Sequence, residues 1–75
     1  TIASSTLLFQ FHDFSNGDLV AISVFNLSGQ VVSRENIVPQ AYHSMDISDL
    51  ASGMYFFKVE NSSTKQVSAG KFIKN

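Results

Sequence analysis

The stretch "SDLASGMYFFKVEN", residues 48–61, decides the fold. A turn-like segment ends at Gly53, and Met54, Tyr55, Phe56 and Phe57 then follow without a polar break. A half-buried strand alternates apolar and polar residues. This one starts apolar on both sides, so either it is covered on both faces or one face is left open. "SDLASG" is too short for a stable helix. Ser48 or Asp49 caps one tight turn instead, with Leu50 plugged inward and Gly53 releasing the chain into a strand over 54–60. Tyr55, Phe57 and Val59 then face the core, and Met54 and Phe56 are left over.

Period two continues outward from there. Leu7, Phe9 and Phe11 alternate with Leu8, Gln10 and His12 in a strand over 6–12. Asn16-Gly17 is a turn pair, since both residues tolerate positive φ. Ile22 and Val24 alternate with Ser23 and Phe25 in a strand over 19–26, which forms a hairpin with a strand over 30–36. In the "NLSGQ" turn between them Gly29 supplies positive φ, and Leu27 is expected to fold back onto the core. Pro39 has no N–H for a ladder and marks an edge or a connection. Over 43–47, Met45 and Ile47 face one way, Ser44 and Asp46 the other. "NSST" is a hairpin loop into a last strand over 65–74, expected to bulge near Ala69-Gly70. A further strand is expected upstream of Thr1 or from the first residues. No segment has a helical period. Six strands at roughly 8–12-residue spacing read as an antiparallel β-sandwich.

With 75 residues there is one domain. A chain this short buries only about 60% of its unfolded surface, for a stability of ~4–10 kcal/mol. The 44% hydrophobic content suffices for a core, and 15% charged residues argue against disorder. There is no cysteine, hence no disulfide or thiolate metal site. The net charge of −1 lacks the basic excess of a nucleic-acid binder. Lys58, Lys65, Lys71 and Lys74 read as solvated edge charges. No apolar run approaches the ~18 residues that span a bilayer. The N-terminus lacks the basic and apolar regions of a signal peptide, and a chain opening on Thr reads as part of a longer protein.

Catalytic chemistry finds no footing. His12 and Asp13 are adjacent, so on a strand they point to opposite faces, and His43 is distant. They read as surface residues, not as a metal or acid–base site. No serine sits in a nucleophile elbow. Asp46 and Asp49 are too few oxygens for calcium. No cofactor is expected, and an enzyme is the least expected class. "NLS" at Asn26 and "NSS" at Asn61 match the glycosylation sequon, a pattern that chance often supplies. Phe14, Phe25, Tyr42 and Phe56 fall on the opposite parity to the core or in turns. They suit a sugar platform, incidental exposure, or an apolar patch for a protein partner.

Three features then line up. "ISVFNLSGQVV" has a strand, an L-x-G turn and an apolar pair. "MDISDLASGMYFFKVE" carries D-x-S-x-L-x-x-G-x-Y before a strand with Lys-Val. "KQVSAGKFIKN" is a lysine-bearing final strand. In this order and spacing the chain resembles the C-terminal sorting domain of the type IX secretion system, type A, carried by Bacteroidetes cargo proteins. The usual P-N-P opening of such domains is absent, as in a piece that starts just after it.

The resemblance implies an all-β, Ig-like antiparallel β-sandwich of about six to seven strands. Residues 1–75 would be one sorting domain at the end of a larger secreted protein. It further implies a secretion signal and no catalyst. The cargo would pass through the periplasm and end at the outer membrane, cell surface or outside. Implied partners are outer-membrane translocon and shuttle proteins, the N-terminal cargo domain, and a sortase-like cysteine protease that cuts the domain off as the cargo is anchored. Motif positions carried over are Leu27, Gly29, Asp46, Leu50, Gly53, Tyr55, Lys71 and Lys74. The first six read as structural. Met54, Phe56, Lys71 and Lys74 are the expected recognition residues, on a surface built from residues 54–75. The alternative is an accessory binding module contacting carbohydrate, through Phe14, Phe25 or Phe56, or a neighbouring domain.

Overall fold

A computed structural model describes residues 2–3, 5–10, 19–38 and 42–75. Phe11, His12, Asp13, Phe14, Asn16-Gly17 and Pro39 lie outside the described residues. Seven strands are present: β1 Ile2–Ala3, β2 Thr6–Gln10, β3 Val20–Phe25, β4 Val31–Ile37, β5 Tyr42–Asp46, β6 Gly53–Asn61 and β7 Val67–Lys74. They form an all-β, Ig-like sandwich. One sheet has the order β1-β7-β6-β3-β4, and β2 and β5 form the other. Pairing is antiparallel except for β1, whose two residues lie parallel to the end of β7, Ile2 opposite Ile73 and Ala3 opposite Lys74. This short strand is the additional one expected from the first residues.

The two-residue side-chain period divides each strand between core and solvent. In β3, Val20, Ile22 and Val24 are buried, so Ala21, Ser23 and Phe25 lie on the outer face. Leu7 and Phe9 of β2 with Met45 and Ile47 close the core from the second sheet. Leu8, Ser44 and Asp46 point away. The Phe9 ring meets Phe57 edge-on across the sheets at 5.4 Å, and Tyr55 stacks on Phe72 at 5.6 Å. Such ring pairs add about 0.5–1.5 kcal/mol beyond burial. At the β4 edge the sheets are tied by His43 Nε2 and Glu35 Oε1, 3.3 Å apart. His43 is thus half-buried and partnered, not the plain surface residue expected.

Both hairpins are held by an asparagine. Asn26 Oδ1 accepts the N–H groups of Ser28 and Gln30, and Gly29 N–H donates to the Asn26 carbonyl. Gly29 has φ +85°, as expected. In the second loop Asn61 Oδ1 accepts from Ser63 and Thr64, and Lys65 N–H donates to the Asn61 carbonyl. Lys65 itself adopts φ +64°. It therefore belongs to the loop, and the last strand starts at Val67 instead of 65.

Three expectations are corrected. Leu27 does not fold back onto the core. It is 68% exposed, because the short loop closed by Asn26 carries it at the hairpin tip. The β6–β7 register runs unbroken from Gly53 opposite Lys74 to Glu60 opposite Val67, so there is no bulge at Ala69-Gly70. The register shift lies instead between Val24 and Phe25 against β4. Gly70 is small for a different reason: a Cβ there would lie 2.6 Å from Phe57 Cζ. Lastly, the turn after β5 is capped by neither Ser48 nor Asp49. Asp46 Oδ1 accepts the Ser48 N–H at 2.9 Å, and Leu50 N–H closes the turn on the Ile47 carbonyl.

Candidate recognition surface

The opening stretch resolves by parity. Tyr55 is buried, Phe57 and Val59 pack against the core, and Met54 and Phe56 stay 37% and 41% exposed. One face of β6 is therefore open. Register carries this exposure across the sheet, because directly paired residues share a face. Phe56 pairs with Phe25 on one side and Lys71 on the other. Phe25 pairs with Val31, and Met54 with Ile73. Val31 and Ile73 are 54% and 43% exposed. An apolar band so crosses four strands at the end of the sheet that carries the Leu27 tip. A shallow groove of about 540 Å³ lies beside it, lined by Phe25, Phe56, Phe57, Lys58, Ala69, Gly70 and Lys71.

Of the expected recognition residues, the fold brings Met54, Phe56 and Lys71 onto this outer face. Lys74 is placed otherwise. It pairs with Gly53, shares parity with buried Phe72, is half-buried, and donates from Nζ to the Asn75 carbonyl at 2.9 Å. β1 covers Ile73 and Lys74 along the sheet edge, so the part of β7 without a described outer neighbour is 67–72.

The motif from Asp46 to Tyr55 has a contact for nearly every position. Asp46 caps, Leu50 packs on the core, and Gly53 turns the chain with φ +150°. The Tyr55 hydroxyl donates to the Ala51 carbonyl at 2.7 Å, locking the turn to the strand it feeds. The Ser48 backbone N–H, with its side chain adding, holds the Asp46 carboxyl below its ordinary value of 3.8. These residues build the fold around the surface. In the sequence Asn26 stands out only as a sequon and Gly70 only as a bulge position, and Val31 and Ile73 carry no expectation of exposure. The pattern of an asparagine two residues before a serine or glycine turn was the available signal for Asn26. Locally Gly70 reads only as a bulge position, and nothing along the chain marks its approach to Phe57.

Among the described residues no group of His, Cys, Asp and Glu could hold a metal ion, and no helix is long and apolar enough to cross a membrane. Both sequon asparagines are engaged in their turns.

A family model described as the secretion system C-terminal sorting domain matches residues 3–75. Among curated proteins nothing matches, and among solved structures nothing matches.

Proposed function

The chain belongs to the family of secretion system C-terminal sorting domains, and from that premise we propose how its folded surface is read. As a member it is a type IX sorting signal, which implies export across the outer membrane to the cell surface or beyond. In our reading, the translocon or its shuttle recognises the folded sandwich on its outer face. Met54, Phe56 and Lys71 make the contact. A sortase-like cysteine protease then cuts the domain away, and the cargo is anchored at the surface.

The observation that carries this is the unequal use of β6. Its inner residues build the core, while Met54 and Phe56 remain open beside Lys71. Exposed charges add only about 0–1 kcal/mol to folding, and contiguous exposed apolar area usually marks an interface.

The test is a periplasm-directed fluorescent protein fused ahead of this domain in a host with the system. Point variants are preferable to truncation, since deleting 71–75 also removes Phe72, 1% exposed, from the core. Wild type is expected outside the cell, shortened by the mass of the domain. Phe56→Ser and Lys71→Glu are expected to accumulate in the periplasm while melting like wild type. Equal export of both variants would refute the role given to this face. Export of a full-length reporter would refute cleavage.

A further inference from the structure

We infer that the outer-face groove receives an apolar side chain of a partner protein segment that carries carboxylates on its flanks. This rests on the reading that the outer face is the recognised one. The charge on that face runs against the chain as a whole. Ser23 pairs with both Arg34 and Lys58, Phe56 with Lys71, and Ala21 with Glu60. Three cations thus share the outer face with one carboxylate, among the described residues, in a chain whose net charge is −1. Glu60 sits toward the opposite end from the apolar band. Lys58 and Lys71 line the groove itself, next to Phe25, Phe56 and the small residue Ala69. A groove with aromatic walls and ammonium groups at its rim is complementary to an acidic–apolar segment.

Within the described residues, the acidic turn of a second copy, with Asp46 and Asp49, is a poor occupant, because it buries Ile47 and packs Leu50 on the core. A phosphate-bearing polymer would meet two lysines around an apolar groove, not a basic stripe.

The experiment titrates the 75-residue chain with a short synthetic peptide holding a phenylalanine between aspartates, followed by amide NMR. Shifts are expected at Phe25, Phe56, Ala69 and Lys71, and not at Leu7 or Met45. A matched peptide with lysines for aspartates is expected to leave them unmoved. At 0.2–1 kcal/mol for each exposed pair, losing both lysine contacts weakens binding about two- to thirtyfold. Lys58→Glu with Lys71→Glu should show that loss, and Lys65→Glu, in the far loop, should not. Equal binding of the lysine peptide overturns the inference. So does the same set of shifts on concentrating the chain alone, which would make the occupant a second copy. If the wild-type reporter of the preceding section is exported and the peptide fails, the partner chemistry is wrong and the sorting reading stands. If the reporter is not exported, that reading fails on its own.

Discussion

Replacing Gly70 by alanine should destabilise the domain through one ring. Gly70 has no left-handed φ, so the backbone accepts any residue there. Space is the obstacle. A Cβ would lie 2.6 Å from Cζ, 2.8 Å from Cε2 and 3.5 Å from Cε1 of Phe57. Carbon atoms rest about 3.5–4.0 Å apart, so the ring must retreat by roughly 1 Å. It is hemmed in by Phe9, edge-on at 5.4 Å, and by the core it packs against. Overpacking of this kind costs about 1–3 kcal/mol, and alanine returns about 0.5–1 kcal/mol over glycine within a strand. The net expectation is a loss of about 0–2.5 kcal/mol, centred on about 1.3 kcal/mol, which at the centre lowers Tm by about 5–10 °C in a domain this small. Urea and thermal unfolding followed by circular dichroism measure it. Phe57→Leu removes the ε and ζ carbons that clash. In that background Gly70→Ala should become neutral or stabilising, giving a coupling of opposite sign to the single change. A loss of the same size in both backgrounds, or a single variant more stable than wild type, would refute the argument.

Three further outcomes are expected. Tyr55→Phe keeps the ring on Phe72 but loses the hydroxyl bond to Ala51, so unfolding free energy should fall by about 0.5–1.5 kcal/mol in urea titrations. The Asp46 carboxyl is held below its ordinary 3.8, so its contribution to stability is present above that pH and lost as pH falls through the lowered value. The difference in Tm between wild type and Asp46→Ala should be constant near neutrality and close below about pH 4. The two left-handed hairpin positions should respond oppositely. Gly29→Ala has open space around its Cβ yet forces a left-handed alanine, at a cost of about 1–2 kcal/mol, whereas Lys65→Gly relieves that strain and gains up to about 1 kcal/mol, both read from melting curves.

What the sequence disclosed follows the range of the interactions. Alternation in β2, β3, β5 and β6 assigned the core correctly at Leu7, Phe9, Ile22, Val24, Met45, Ile47 and Tyr55, because side-chain parity is a local property. The turn at 46–53 was legible in outline for the same reason. The capping side chain lies two or three residues before the expected Ser48 or Asp49, since Asp, Ser and Asp all offer suitable oxygens there. Leu27 was misread because a leucine in a turn gives no sign of its direction. That direction came from the Asn26 bonds that shorten the loop. Gly70 looked like a bulge because glycine in a strand often is one. Its true reason lies on the neighbouring strand and needs the register. So does the gathering of Arg34, Lys58 and Lys71 on one face, which no spacing along the chain reveals.

The motif positions of this domain therefore divide by contact. Asp46, Leu50, Gly53 and Tyr55 are consumed by the turn and the core. A machine that touches only the outside cannot read buried Tyr55 directly. What it can read is the placement those residues enforce. Gly53 and the Tyr55–Ala51 bond set the phase in which β6 begins. That phase puts Phe56, and through register Phe25 and Lys71, on the open side. A slip of one residue would exchange Phe56 for Phe57 and turn the surface into the core. On the reading proposed above, motif and surface are then one device. The motif fixes which side of "MYFF" faces outward, and the outward side carries the recognition.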